Sequence, residues 1–189
     1  MSNELLILID PQNDFTNLDG FYAQQHQTSQ ITNTKQKINE LLSLWNKNEI
    51  VVIYSNYQFE QFQKNLGIGI PDTFGHKLDN DFSFENDFTY ISKNQHSAFT
   101  SKDFNDFLDN TNPSKLFLCG YLAEYCVEQT AIDALKNNYK VCLIEDCIGT
   151  GDDVQYRKDE MILKLGQDGA EMTNSNELIQ QKNDRQNSQ

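Results

Sequence analysis

The sequence predicts an α/β fold, a three-layer α/β/α sandwich around a mostly parallel sheet of about six strands. Two observations predict it. Short apolar runs of strand length recur along the chain, bounded by polar residues. Stretches with helical apolar periodicity separate most of those runs, the alternation of a parallel sheet covered by helices on both faces.

Taken in chain order, the first run is Leu5–Ile9. Ile38, Leu41, Leu42 and Trp45 then fall at i, i+3, i+4 and i+7, which places them on one stripe of a helix. Ile50–Tyr54 is the second run, and residues 57–88, with several Phe and little periodicity, read as a long loop. Phe88–Ile91 is the third run, followed by a shorter helical stripe of Phe104, Phe107 and Leu108. Leu116–Cys119 leads into a helix carrying Val127, Ala131, Ala134 and Leu135 on one side. Val141–Ile144 leads into another, marked by Met161, Ile162 and Leu165, and Ala170–Thr173 is a weaker sixth run. These elements define one domain over residues 1–180, and residues 181–189 read as a polar, frayed tail.

Composition limits the function. A chain of 189 residues with 38% hydrophobic residues, 12 Phe and 8 Tyr can bury a full core. The formal net charge of −13, with no Lys/Arg cluster, argues against nucleic acid and against an anionic membrane surface as partners. The apolar run near the N-terminus is too short for a signal peptide or a spanning helix, so a cytoplasmic location is expected. Four cysteines, Cys119, Cys126, Cys142 and Cys147, form no CxxC pair and are expected as thiols.

In open parallel sheets, ligands sit beyond the carboxyl ends of the strands. Three residues of chemical interest are expected there: Asp10 after the first strand, Lys93 after the third, and Cys126 where a Gly-containing turn gives way to a helix. A thiol at a helix start has its thiolate favoured by unpaired N–H groups and the helix dipole. A carboxylate beside it can take the thiol proton and return it to a leaving amine. An ammonium can favour the ionised forms, and N–H groups of the Gly120–Cys126 turn can receive an oxyanion. Those are the parts of acyl transfer at an amide carbon. Taken singly, each residue has an ordinary structural reading: a buried thiol, a turn carboxylate and a surface ammonium.

At these residues the chain resembles the isochorismatase-like cysteine hydrolases, the superfamily that includes nicotinamidase. The resemblance runs through DPQNDF (10–15), K-x-x-x-S-A-F (93–99) and G-x-x-x-E-Y-C-V-x-x-T-A-x-D-A (120–134), and continues more weakly through VCLIEDC and GAEMTNSNEL. It implies a catalytic triad of Asp10, Lys93 and Cys126, a thioester intermediate, and a cis peptide at Tyr121–Leu122 aiming the backbone N–H groups of Leu122 and Cys126 at the oxyanion. Phe15, Tyr57 and Tyr125 are expected as substrate-binding walls, and a homo-oligomer is expected because relatives often form one. The implied activity is hydrolysis of a small non-peptide amide.

The chain departs from the family in ways that narrow this. Nicotinamidases carry Asp-x-His after the second strand to bind a divalent metal, whereas Asn56 and Gln58 stand at those positions here. Neutral amides are poor ligands for zinc or iron, and His26, His76 and His96 are scattered and read as loop histidines. A metal-independent enzyme without cofactors is therefore expected. Isochorismatases proper lack the cysteine and cleave a vinyl ether, against which Cys126 argues. Ala123 replaces a Thr that many relatives have in the turn. Asp14 and Asp133 are expected to anchor loops and helix ends, and Asp146 with Gly149 and Gly151 to form a structural turn, since no phosphate-binding glycine motif is present. The alternatives are a nicotinamidase with an altered metal site and a catalytically weak family member acting as an oligomeric binding or structural protein.

Overall fold

A computed structural model describes residues 3–57 and 67–187, and builds them around a single sheet. Its strands are β1 (Glu4–Ile9), β2 (Ile50–Ser55), β3 (Thr89–Lys93), β4 (Lys115–Tyr121), β5 (Val141–Gly149) and β6 (Glu171–Thr173). All pairings are parallel, in the order β3-β2-β1-β4-β5-β6. The helices are α1 (Asn13–Thr16), α2 (Ser29–Leu44), α3 (Lys102–Thr111), α4 (Glu128–Lys136), α5 (Gln155–Gln167) and α6 (Ser175–Asn187). Among the described residues no helix is long and apolar enough to cross a membrane.

The alternation of side chains along each strand divides the core in two. Leu5, Ile7 and Ile9 face one layer, where Phe104 of α3, Ala131 of α4 and Leu165 of α5 cover them. Leu6 and Leu8 face the other, under Ile38 and Leu41 of α2 and Leu178 of α6. Both faces of the central strands are therefore sealed, which is why they read as continuous apolar runs rather than alternating ones. The three-layer sandwich expected from the sequence is the fold observed, and its sheet is wholly parallel.

The structure revises two details at the C-terminal end. β5 extends to Gly149, so Asp146 lies inside a strand and not in a turn after it. Its carboxylate accepts from Ser175 N–H (2.8 Å), Ser175 Oγ (2.6 Å) and Lys37 Nζ (2.8 Å), which ties the start of α6 and the flank of α2 to the sheet. Helix α6 continues through Asn187, beyond the boundary drawn at residue 180. Lys182 lies over the Trp45 ring, 3.6 Å from its centroid, a cation–π contact that no apolar periodicity announces.

Sheet order reverses between β1 and β4, which opens a crevice at their carboxyl ends. Gly120 makes the close approach there possible. It has φ of 118°, and a Cβ at that position would lie 2.1 Å from the Ile9 carbonyl oxygen. Gly120→Ala is expected to destabilise the fold by about 2–4 kcal/mol, combining an unfavourable φ with overpacking. Urea unfolding measures this, and a loss below about 0.5 kcal/mol would show that β4 moves away freely.

Candidate active site

Asp10 leaves β1 in a left-handed conformation, with φ of 50°, and its N–H still donates to the Ile53 carbonyl at 2.8 Å. This conformation ends the strand at the mouth of the crevice; for a non-glycine residue it costs about 1–2 kcal/mol. Lys93 is the last residue of β3 rather than the first after it. Cys126 lies in a π-helical turn, Ala123–Val127, that precedes α4, and both Tyr125 N–H and Val127 N–H donate to the Leu122 carbonyl. A cis peptide bond joins Tyr121 to Leu122.

These three side chains meet. Lys93 Nζ donates to Asp10 Oδ2 at 2.9 Å and lies 3.3 Å from Cys126 Sγ. Asp10 and Lys93 have fully buried side chains, and Cys126 is 4% exposed. A buried ion pair of this kind holds together only when its remaining hydrogen-bonding capacity is also satisfied. Here Lys93 Nζ also reaches Ser55 Oγ (2.8 Å) and the Gln95 carbonyl (3.1 Å), while Ser55 Oγ donates to Asp10 Oδ1 at 2.9 Å.

The electrostatics differ from the helix-start picture drawn from the sequence. Burial first, and then the Asp10 charge, push the Cys126 thiol up to about 12, while Lys93 pulls the other way. The resting group is thus a thiol beside a carboxylate, not a preformed thiolate, because desolvation outweighs the neighbouring ammonium. Burial opposes the Lys93 charge, yet the Asp10 carboxylate, the largest of the opposing causes, helps keep it an ammonium. The arrangement can pass one proton between sulfur and carboxylate beside a fixed positive charge.

The motif residues around these three side chains brace the crevice. Gln12 Nε2 donates to the Ser55 carbonyl (2.9 Å) and the His76 carbonyl (2.7 Å), and Gln12 Oε1 accepts from Ser55 N–H (2.7 Å). Asp14 Oδ2 accepts from Gly69 N–H at 2.7 Å, so it anchors the loop as expected. Ala98 N–H donates to Thr130 Oγ1 at 3.1 Å, which ties the segment after Lys93 to the helix after Cys126. Asp133 pairs with Lys136 on the surface of α4.

Cys126 opens onto a cavity of about 340 Å³. Phe15, Tyr57 and Tyr125, the expected substrate walls, all line it. Sequence reasoning missed other parts of the wall: Tyr22, His26, His96 and Arg157 also line the cavity. His26 and His96 are loop histidines as read, but His26 stacks on Tyr22 (4.4 Å) and His96 packs on Tyr125 (5.6 Å). Burial, and then the Lys93 charge, hold the His96 imidazole below its usual range. No periodicity could have found these residues, since they come from loops that meet only in the fold. Cys119, Cys142 and Cys147 are buried free thiols away from this cavity, and burial raises all three.

The metal position of nicotinamidases can be compared directly. Asn56 follows β2, and its buried Oδ1 accepts no hydrogen bond among the described residues; Gln58 lies outside them. No group of three or more His, Cys, Asp or Glu side chains suited to a metal occurs among the described residues. A neutral amide oxygen in place of a carboxylate is a poor match for zinc or iron, so these residues do not fit such an ion.

A family model for the isochorismatase domain matches residues 4–177. Among solved structures, the chain is similar to the pyrazinamidase of Pyrococcus horikoshii in complex with zinc, at 22% identity and a TM-score of 0.78, covering 91% of this chain and 99% of that one. It is similar to the N-carbamoylsarcosine amidase from Thermoplasma acidophilum at 20% identity and a TM-score of 0.76, covering 93% and 97%. It is also similar to a cysteine hydrolase from Pseudomonas syringae pv. phaseolicola 1448A at 18% identity and a TM-score of 0.80, covering 96% and 93%. At these identities the likeness is one of fold. No curated protein matches.

Proposed function

The chain belongs to the isochorismatase family of hydrolases, and from that premise we propose that it is a metal-independent cysteine hydrolase of small non-peptide amides. The observation that carries this reading is the buried contact of Lys93 Nζ with both Asp10 Oδ2 and Cys126 Sγ at the floor of an aromatic cavity. As Sγ attacks the amide carbon, Asp10 takes the thiol proton, and the developing oxyanion is received by the N–H groups of Leu122 and Cys126. Collapse breaks the C–N bond, the proton passes to the departing nitrogen, and ammonia or an amine leaves a thioester on Cys126. Asp10 then takes a proton from water as its oxygen attacks the thioester. Cleavage of the C–S bond returns that proton to sulfur and releases the acid. Phe15, Tyr57 and Tyr125 hold the apolar part of the substrate.

The test is ammonia release from a panel of small amides, ureides and lactams in the presence of a chelator, with mass spectrometry of the quenched enzyme. Turnover that survives chelation, with an acyl adduct on the peptide carrying Cys126, is the expected result. Turnover abolished by the chelator and restored by a divalent ion would overturn metal independence.

Asp10→Asn separates proton transfer from thiol acidity. Loss of the proton acceptor is expected to lower kcat by roughly 10²–10⁴-fold. The same change removes a negative charge that raises the thiol and leaves Lys93 unopposed, so the midpoint of Cys126 alkylation by iodoacetamide should fall relative to wild type. A midpoint that stays put or rises would mean that Asp10 does not act on the thiol.

A further inference from the structure

Lys93 carries three ammonium hydrogens but has four acceptors within reach: Asp10 Oδ2 (2.9 Å), Ser55 Oγ (2.8 Å), the Gln95 carbonyl (3.1 Å) and Cys126 Sγ (3.3 Å). A neutral thiol is a weak acceptor, so with the sulfur protonated the three oxygens take the hydrogens. When the proton moves from sulfur to Asp10, the charge to be balanced moves with it. The ammonium must then turn a hydrogen from the carboxylate to the sulfur. One group has to hold both partners in place during this exchange.

Ser55 is built for that role. Its Oγ donates to Asp10 Oδ1 (2.9 Å), the oxygen that Lys93 does not use, and accepts from Lys93 Nζ. Its own backbone cannot shift easily, because Gln12 clamps both its N–H and its C=O, and both residues are fully buried. We propose that Ser55 is a positioning residue of the active site, a fixed hydroxyl pivot that keeps Asp10 and Lys93 in register while the proton passes between Cys126 and Asp10. It touches no substrate and acts through the carboxylate. This inference rests on the cysteine-hydrolase reading above.

The titratable and charged groups around the thiol are Asp10 from β1, Tyr57 after β2, Lys93 and His96 from β3 and the loop beyond it, and Tyr125 and Arg157 at the cavity mouth. Among these, Asp10 and Lys93 bond the Ser55 hydroxyl as above, and Tyr57 also hydrogen-bonds the Ser55 side chain. Removing the hydroxyl takes a donor from a buried carboxylate and makes its ionised form less favourable. The acid limb of the Cys126 alkylation profile should therefore move to higher pH.

The experiment is peptide-resolved iodoacetamide labelling of Cys126 between about pH 4 and pH 11, on wild type, Ser55→Ala, Ser55→Thr and Ser55→Cys, with urea midpoints measured alongside. Ser55→Ala is expected to raise the acid limb by about one pH unit, a tenfold change in proton affinity, with Ser55→Thr returning it towards wild type. Ser55→Cys, a weaker donor of similar shape, should fall between the two and carries the test if the alanine variant does not fold. A Ser55→Ala profile that superimposes on wild type overturns the pivot and leaves the triad standing. So does a threonine variant, folded, that shifts as far as alanine. Wild type that gives neither ammonia release from the amide panel nor an acyl adduct on Cys126 overturns both the pivot and the reading on which it rests.

Discussion

Cys126→Ala is expected to lower kcat for amide hydrolysis by roughly 10⁴–10⁶-fold, because on the proposed route the Cys126 sulfur forms the acyl intermediate. Asp10, Lys93 and the turn N–H groups would remain, but they stabilise a step that no longer has a nucleophile. The fold should tolerate the change. The side chain is 4% exposed and borders a cavity, so its removal enlarges existing space and is expected to cost about 1 kcal/mol or less in urea unfolding. Cys126→Ser tests the chemistry further: its oxygen fits the space but releases its proton far less readily than sulfur, so activity should fall nearly as far. Ammonia release and the acyl adduct should disappear together. Turnover in the alanine variant within tenfold of wild type would eliminate the thioester route.

Lys93→Met is expected to have the largest effect on stability, a loss of about 3–5 kcal/mol. The methionine fills the stem volume but leaves the Asp10 carboxylate buried without its counter-charge, although the Ser55 hydroxyl still donates to it. Neutralising both partners should remove most of that penalty, so the double variant Asp10→Asn, Lys93→Met is expected to be clearly more stable than Lys93→Met alone. Urea unfolding of the four proteins, wild type included, completes the cycle. If the single variant loses less than about 1 kcal/mol, water reaches the pair, and its burial does not govern the site's chemistry. Activity should vanish in both variants, so stability and catalysis are read separately.

The elements best legible in the sequence were those buried on two faces. β1, β2 and β4 are continuous apolar runs, and their bounds in the structure extend the expected ones by a residue or two. β5 was underestimated because Glu145 and Asp146 interrupt its apolar run, although the strand continues past them to Gly149. The polar tail of α6 carries no apolar stripe, and its docking through Lys182 on Trp45 depends on a ring supplied by a distant segment. The three motifs proved legible for a structural reason as well as a chemical one. Gln12, Asp14 and Thr130 brace Ser55, Gly69 and Ala98, so the residues that mark the motifs also fix the geometry of the site.

What the sequence determined by itself was the parallel three-layer architecture, the identity of Asp10, Lys93 and Cys126 as the residues of interest, and the mismatch at Asn56 with a metal site. The first follows from apolar patterning, and the other two from residue type and motif order together with the family resemblance they carry; none needs knowledge of what lies across the sheet. Only the tertiary structure decided that the thiol rests protonated, that Ser55 joins Asp10 to Lys93, and that His96 and Arg157 face the same cavity as Cys126. Those outcomes depend on desolvation and on distances of about 3 Å between segments far apart in the chain, and such quantities exist only once the sheet has brought its strand ends together.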